Sequence, residues 1–185
     1  ILHDAGFYTA GIWRNGWVAT NFGFGQGFDL YHRPASLSTP EFLQRQTISS
    51  WKLAGTDDEI TTSAVEFLKG VGKQRFLLYL HYMDIHQYVY DDSADFGTTF
   101  LDFYDNAVSW VDRNLSVLLG SMQERGLLEH TLVVITADHG ESFLEHGSEG
   151  HARTLYTEVQ DVPLILLPPF GFDRGVVVEQ RMADA

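Results

Sequence analysis

Two polar clusters stand directly after apolar runs in this chain. The first, His81, Asp84 and His86, follows the run that opens at Phe76, and the second, Asp138, His139 and Glu141, follows the run Thr131 to Thr136. His146 and His151 come next, so three of the eight histidines fall between positions 139 and 151. A carboxylate beside an imidazole offers an oxygen and a nitrogen ligand to a hard or borderline divalent ion, and Gly140 lets the backbone turn away without a side chain in the path. Two ligands do not close such a site, so further carboxylates must come from elsewhere. An isolated Asp-His pair reads more readily as a turn cap and a solvated imidazole. The strand-end position and the histidines that follow favour the ligand reading for Asp138 and His139.

The other polar residues divide less sharply. A loop histidine is ordinarily solvated, and His3, His32 and His130 are assigned to the surface on that ground. Asp91, Asp92 and Asp95 read as a solvated acidic loop, because no histidine or turn glycine accompanies them at calcium-loop spacing. Asp112 and Asn114 fall on a helix and are expected on its polar face.

These clusters need elements to hold them. Phe7 to Trp13 is rich in β-favouring residues and predicts a short strand, followed by a turn at Asn15-Gly16. Phe22 to Asp29 interleaves glycines with Phe22, Phe24 and Phe28, as in a tight loop whose rings plug into a core. It lacks the full spacing of a nucleotide-binding fingerprint. Residues 34 to 55 read as loop and short helix. Thr56-Asp-Asp-Glu59 is a capping box opening a helix that runs to Gly70. Phe76 to Tyr82 is nearly continuous in apolar residues, as a strand covered on both faces would be. Tyr104, Val108, Val111, Leu115, Leu118 and Met122 recur at spacings of four and three, predicting a helix from Phe100 to Arg125. Thr131 to Thr136 and Val162 to Leu167 read as further buried strands. Alternation of apolar strands with helices predicts an α/β fold with a mainly parallel sheet and helices on both faces. Ligands of such sheets lie beyond the carboxyl ends of the strands, where both clusters stand.

Composition narrows the partners. A chain of 185 residues can bury roughly 70% of its unfolded surface in one core. It has no cysteine, which excludes disulfides and thiolate chemistry. Lys and Arg number 12 against 25 Asp and Glu, a net charge of −13, so a nucleic-acid backbone is not the expected partner and a cation is. No run has the length of about 18 apolar residues that a membrane span needs. The chain opens on an apolar turn closed by Gly6, with no starting Met, and the numbering is expected to begin inside a larger domain.

Several blocks together resemble the sulfatases of the alkaline phosphatase superfamily: Phe76 to His86, Tyr104 to Asp112, Val134 to Glu141, Glu145 to Gly147, Gly150 to Tyr156, and Val162 to Ile165. Their order and spacing match, and Leu2 to Ala10 and Phe22 to Asp29 are similar to the segment that follows the nucleophile region in that family. The resemblance implies an alkaline phosphatase-like fold, of which residues 1–185 form a single partial domain truncated at its N-terminus. It implies that Asp138 and His139 bind one divalent cation, most commonly calcium, with manganese, magnesium or zinc as alternatives. His86 would contact the anionic oxygens of an ester. His151 occupies the place of a sulfate-binding lysine, His146 would assist, and Arg153 would add positive charge or pair with a surface carboxylate. The implied substrate is an anionic small-molecule or glycan sulfate ester, and the implied setting secreted or periplasmic.

The reaction expected of the full-length protein is metal-dependent hydrolysis of sulfate esters, with His86, His146 or His151 protonating the leaving alkoxide. Two departures keep other readings open. The nucleophile motif and the paired N-terminal aspartates of the family are not in this chain, and Ile85 and His151 stand where proline and lysine are usual. The alternatives are a phosphodiesterase, a phosphonate hydrolase or a phosphoethanolamine or phosphoglycerol transferase of the same superfamily. A third reading makes the isolated chain an inactive fragment or binding module.

Overall fold

A computed structural model describes residues 1–35, 43–45 and 55–170, within two units, Ile1–Met122 and Gln123–Ala185. In the first unit the chain forms β1 (Tyr8–Trp13), β2 (Leu30–His32), β3 (Leu43–Arg45), α1 (Asp57–Gly70), β4 (Phe76–His81), β5 (Val89–Asp91) and α2 (Phe100–Glu124). β1 is the middle strand of a parallel three-stranded sheet in the order β2-β1-β4. Its register sets Tyr8 opposite Phe76 and Trp13 opposite His81, so β1 and β4 end together and deliver Arg14 and Asp84 to the same sheet edge. A Cβ on Gly11 would sit 2.5 Å from the Tyr31 ring, which lies stacked on Trp13 with centroids 5.6 Å apart. Glycine is what lets that ring lie across the strand.

α1 begins at the expected capping box: the Glu59 carboxylate accepts from the Thr56 N–H at 2.5 Å. Ile60, Ala64 and Leu68 form its buried face, and it packs on β1 and β4. Leu43, Val89, Trp110 and Val111 make a core with Tyr82, Ile85 and Leu115 against it. Each fully buried large apolar side chain of this kind contributes about 1.5–3 kcal/mol.

The second unit holds β6 (Val133–Thr136), β7 (Ser142–Phe143), β8 (Glu149–Gly150), α3 (Thr157–Gln160) and β9 (Leu164–Leu167). β6 pairs with β9, Ile135 opposite Ile165, and the pairing is antiparallel. Only a β7–β8 hairpin and the short α3 lie between them, and an antiparallel return needs no helical crossover. These strands are also more open than their composition implies, with Val134 and Ile165 about half exposed. No helix among the described residues is long and apolar enough to cross a membrane.

Several local expectations are corrected. Phe22 and Phe24 are exposed, and only Phe28 of that loop packs inward, against Tyr31 and Tyr79. Gly25 keeps the loop close, since a Cβ there would meet Thr20 at 2.6 Å. Asn114 is buried, not on a polar face: its carbonyl accepts from Thr61 at 3.0 Å and its amide donates to the Trp110 carbonyl at 3.1 Å. Asp91 is buried as well. It accepts from Ser93 Oγ at 2.5 Å and Arg113 Nη1 at 3.0 Å, and the Ser93 hydrogen bond, foremost, holds its carboxyl below the usual range. Of the segment expected as loop and short helix, residues 36–42 and 46–54 lie outside the described residues, and 43–45 form β3.

A charged network ties the sheet edge to both helices. Arg14 Nη1 donates to Asp57 Oδ1 at 2.8 Å and to Asp84 Oδ1 at 2.6 Å, and Nη2 donates to the Gly55 carbonyl at 2.7 Å. Asp84 Oδ2 accepts from the Asp57 N–H at 2.7 Å and from Trp110 Nε1 at 2.8 Å. Both carboxylates are fully buried and Arg14 is 3% exposed. Burial, then the neighbouring Asp84 charge, pushes Asp57 up to about 7 against the pull of Arg14. Removing one partner of a buried ion pair leaves an uncompensated charge and costs about 3–5 kcal/mol. Arg14→Met is expected to lower unfolding free energy by that amount, read as a reduced urea midpoint at unchanged m-value.

Candidate metal and anion site

β6 ends at Thr136, and Ala137 to Gly140 lead the chain away from the strand. His139 Nδ1 lies 2.7 Å from the Gly140 carbonyl oxygen. A carbonyl only accepts, so Nδ1 carries the hydrogen, and in the neutral ring Nε2 keeps its lone pair. That Nε2 stands 3.8 Å from Asp138 Oδ1, and the Asp138 side chain is 84% exposed. Nitrogen and oxygen ligands bound at about 2.0–2.6 Å to one ion lie about 3–4 Å apart, so the pair fits a shared cation.

The β7–β8 hairpin adds a second group. Ser142 pairs with Gly150, and this register sets the preceding Glu141 beside the following His151. His151 Nδ1 is 3.2 Å from each Glu141 oxygen, and the Glu141 side chain is only 7% exposed. The hydrogen bond to Glu141 is the largest influence on His151 and raises its pKa; burial opposes this, and the Glu141 and Asp138 charges add to it. The His151 ring stacks on His139 with centroids 4.0 Å apart. Two positive charges at that distance would repel by about 4 kcal/mol at an effective dielectric of 20. Of the two rings, His151 is the one whose protonated form a carboxylate favours.

Gly140 is fixed by backbone. Its N–H donates to the Val159 carbonyl at 2.8 Å, and a Cβ would fall 2.2 Å from the Glu158 carbonyl oxygen. The turn after Asp138 and His139 is thus seated on α3, and no side chain fits at the contact.

His146 has different partners. Its Nδ1 donates to Glu158 Oε1 at 2.7 Å, and its ring stacks on Tyr156 with centroids 3.7 Å apart and planes within 12°. Arg153 is exposed and has no ion-pair partner among the described residues. His86, in the first unit, is exposed on the turn after β4, two positions beyond the buried Asp84. Within the second unit the structure thus brings together Asp138, His139 and His151, and leaves Arg153 unpaired. Sequence reasoning did not single out Glu141, Glu158 and Tyr156 as the residues that hold the imidazoles. Glu141 stood in the Asp-His-Gly-Glu run, but its partner follows from the register of a hairpin too short to carry an alternating pattern. Glu158 has no local signal.

Known structures define the class. The fold is similar to the lipoteichoic acid synthase LtaP from Listeria monocytogenes, with a TM-score of 0.67 at 18% identity, over 94% of this chain and 46% of that one. It is also similar to an alkaline phosphatase superfamily protein from Vibrio parahaemolyticus, with a TM-score of 0.62 at 19% identity, over 90% of this chain and 40% of that one. This is an alkaline phosphatase-like α/β fold, partly covered. The Sulfatase family model matches residues 1–184, and the chain belongs to that family. Steryl-sulfatase from Rattus norvegicus is 30% identical over 123 residues, which is 65% of this chain and 21% of that protein. The chain thus spans about a fifth of that relative and under half of the structural neighbours.

Two outcomes follow from the geometry. A histidine raised above the ordinary 6.5 adds stability below that value and loses it as pH rises through the folded-state pKa. Glu141→Gln is expected to bring the His151 titration down toward 6.5, read by NMR in metal-free protein. Gly140→Ala is expected to displace the turn from α3 and weaken divalent-cation binding at least about 10-fold, the low end of effects from disturbed ligand support, measured by calorimetry.

Proposed function

We propose that the intact protein hydrolyses sulfate esters with a divalent cation held in part by Asp138 and His139. The observation that carries this reading is the convergence of Asp138 Oδ1 and His139 Nε2 at 3.8 Å, with the ring oriented by the Gly140 carbonyl. When bound, a divalent cation neutralises charge on the nonbridging oxygens of the ester. Calcium, manganese and magnesium suit the exposed carboxylate, and zinc suits the imidazole.

The chain's own residues supply the rest. His151, whose protonated form the Glu141 hydrogen bond favours, is an electrostatic partner for a sulfate oxygen. His146 is oriented through Nδ1 by Glu158, which leaves Nε2 to hold or give up a proton, the task of a group that protonates a leaving alkoxide. In the first unit the same reading assigns His86 to the anionic oxygens. The acidic surface repels anionic esters at long range, so local positive charge from imidazoles and metal must overcome the chain's net charge of −13.

The membership of the chain in the Sulfatase family supports sulfate as the leaving ester's acid component. Asp138→Ala in the intact protein is expected to lower kcat/KM on a chromogenic sulfate ester by about 100-fold or more, since several kcal/mol of charge stabilisation goes with the cation. Calcium and manganese titration by calorimetry should show the same variant binding more weakly. Wild-type turnover and wild-type metal affinity in Asp138→Ala would defeat the reading.

A further inference from the structure

The turn that carries His86 is held by the most buried charges of the first unit. Asp57 accepts from the Met83 N–H at 2.9 Å with both oxygens, and from the Asp84 N–H at 2.7 Å with Oδ2. Its carboxylate therefore caps the backbone where β4 ends. The Asp84 side chain is clamped in turn by Arg14, the Asp57 N–H and the Trp110 indole. Inside the turn, Gln87 N–H donates to the Met83 carbonyl at 3.2 Å, Tyr88 N–H to Ile85 at 3.0 Å and Val89 N–H to Asp84 at 2.9 Å. Tyr88 sits at φ +46, a left-handed conformation that an aromatic residue adopts only when its surroundings impose it. A simple ion pair for stability would not need to spend three of its hydrogen bonds on the two backbone amides that lead to one exposed histidine.

We infer that Arg14, Asp57 and Asp84 are positioning residues that set the conformation of the turn presenting His86. The inference rests on the assignment of His86 to the ester, and it adds three residues that touch no substrate. Arg14 comes from the end of β1, Asp57 from the first turn of α1 and Trp110 from α2, so the turn is referenced to three elements at once. Loss of any one contact frees the turn on the others without removing the histidine.

The test combines a structural and a kinetic reading in the intact protein. Asp57→Asn, and Trp110→Phe, which removes the indole N–H and part of the ring but keeps an aromatic side chain in the core, should speed amide exchange across residues 83–89 while α1 and α2 stay protected. Each should lower kcat/KM on a chromogenic sulfate ester, on the order of 10–100-fold for Asp57→Asn, as a misplaced contact group does. His86→Ala added to Asp57→Asn should cost much less than His86→Ala alone, because the two act through one group. Additive losses, or exchange that rises evenly through the unit or in neither variant, would overturn the positioning role while leaving His86 in place. A wild-type rate from His86→Ala would overturn the assignment of His86 itself, and the positioning role with it.

Discussion

A carbonyl oxygen can only accept a hydrogen bond, and the Gly140 carbonyl thereby decides which nitrogen of His139 faces outward. Had Nδ1 been left to solvent, either nitrogen could present itself, and the ring would have no preferred orientation toward Asp138. With Nδ1 tied at 2.7 Å, the lone pair belongs to Nε2, on the side where Asp138 Oδ1 stands 3.8 Å away. The same glycine must come within van der Waals range of the α3 backbone, so one residue supplies both the acceptor and the close approach.

The other two imidazoles of the second unit follow the same rule with a stronger acceptor. His151 meets Glu141 and His146 meets Glu158, in each case through Nδ1. In that role a carboxylate, like a carbonyl, orients the ring, and at His151 it also favours the charged form. The acceptor therefore fixes which nitrogen each histidine presents outward: Nε2 in all three rings. His139 and His151 are also stacked, with centroids 4.0 Å apart, so the two rings are positioned as one unit. In a chain with 25 acidic residues, these two carboxylates are spent on orienting imidazoles.

β1, α1, β4, α2, β6 and β9 were legible in order because each rests on a short-range pattern, whereas the short β2, β3, β5, β7, β8 and α3 carry none. The capping box at Thr56, the four-three spacing of α2 and the apolar run of β4 all appear within a few residues of their ends. That Asp138 and His139 stand together just past a strand end was legible for the same reason. The pairings were not. That β9 returns antiparallel to β6, and that Glu141 faces His151, are matters of register, which neighbouring residues do not encode. Asn114 and Asp91 were misassigned because a polar residue on an amphipathic helix or in an acidic stretch carries no mark of the partner that buries it.

Asp84 and Asp138 make the distinction that spacing alone could not. Each follows an apolar strand and is close to a histidine, and both belong to the polar clusters that the sequence places at strand ends. Burial separates them: Asp84 is fully enclosed and spends its oxygens on Arg14, Trp110 and a backbone amide, whereas Asp138 is 84% exposed. A carboxylate whose oxygens are committed to protein donors has nothing left for a ligand, and its desolvation has already been offset by those donors. An exposed carboxylate beside a tied imidazole keeps its lone pairs for something that arrives later. The two strand ends therefore differ in what their carboxylates have left to offer: Asp84, reached by the Arg14 guanidinium, is committed to holding the backbone, whereas Asp138 keeps its oxygens open to solvent.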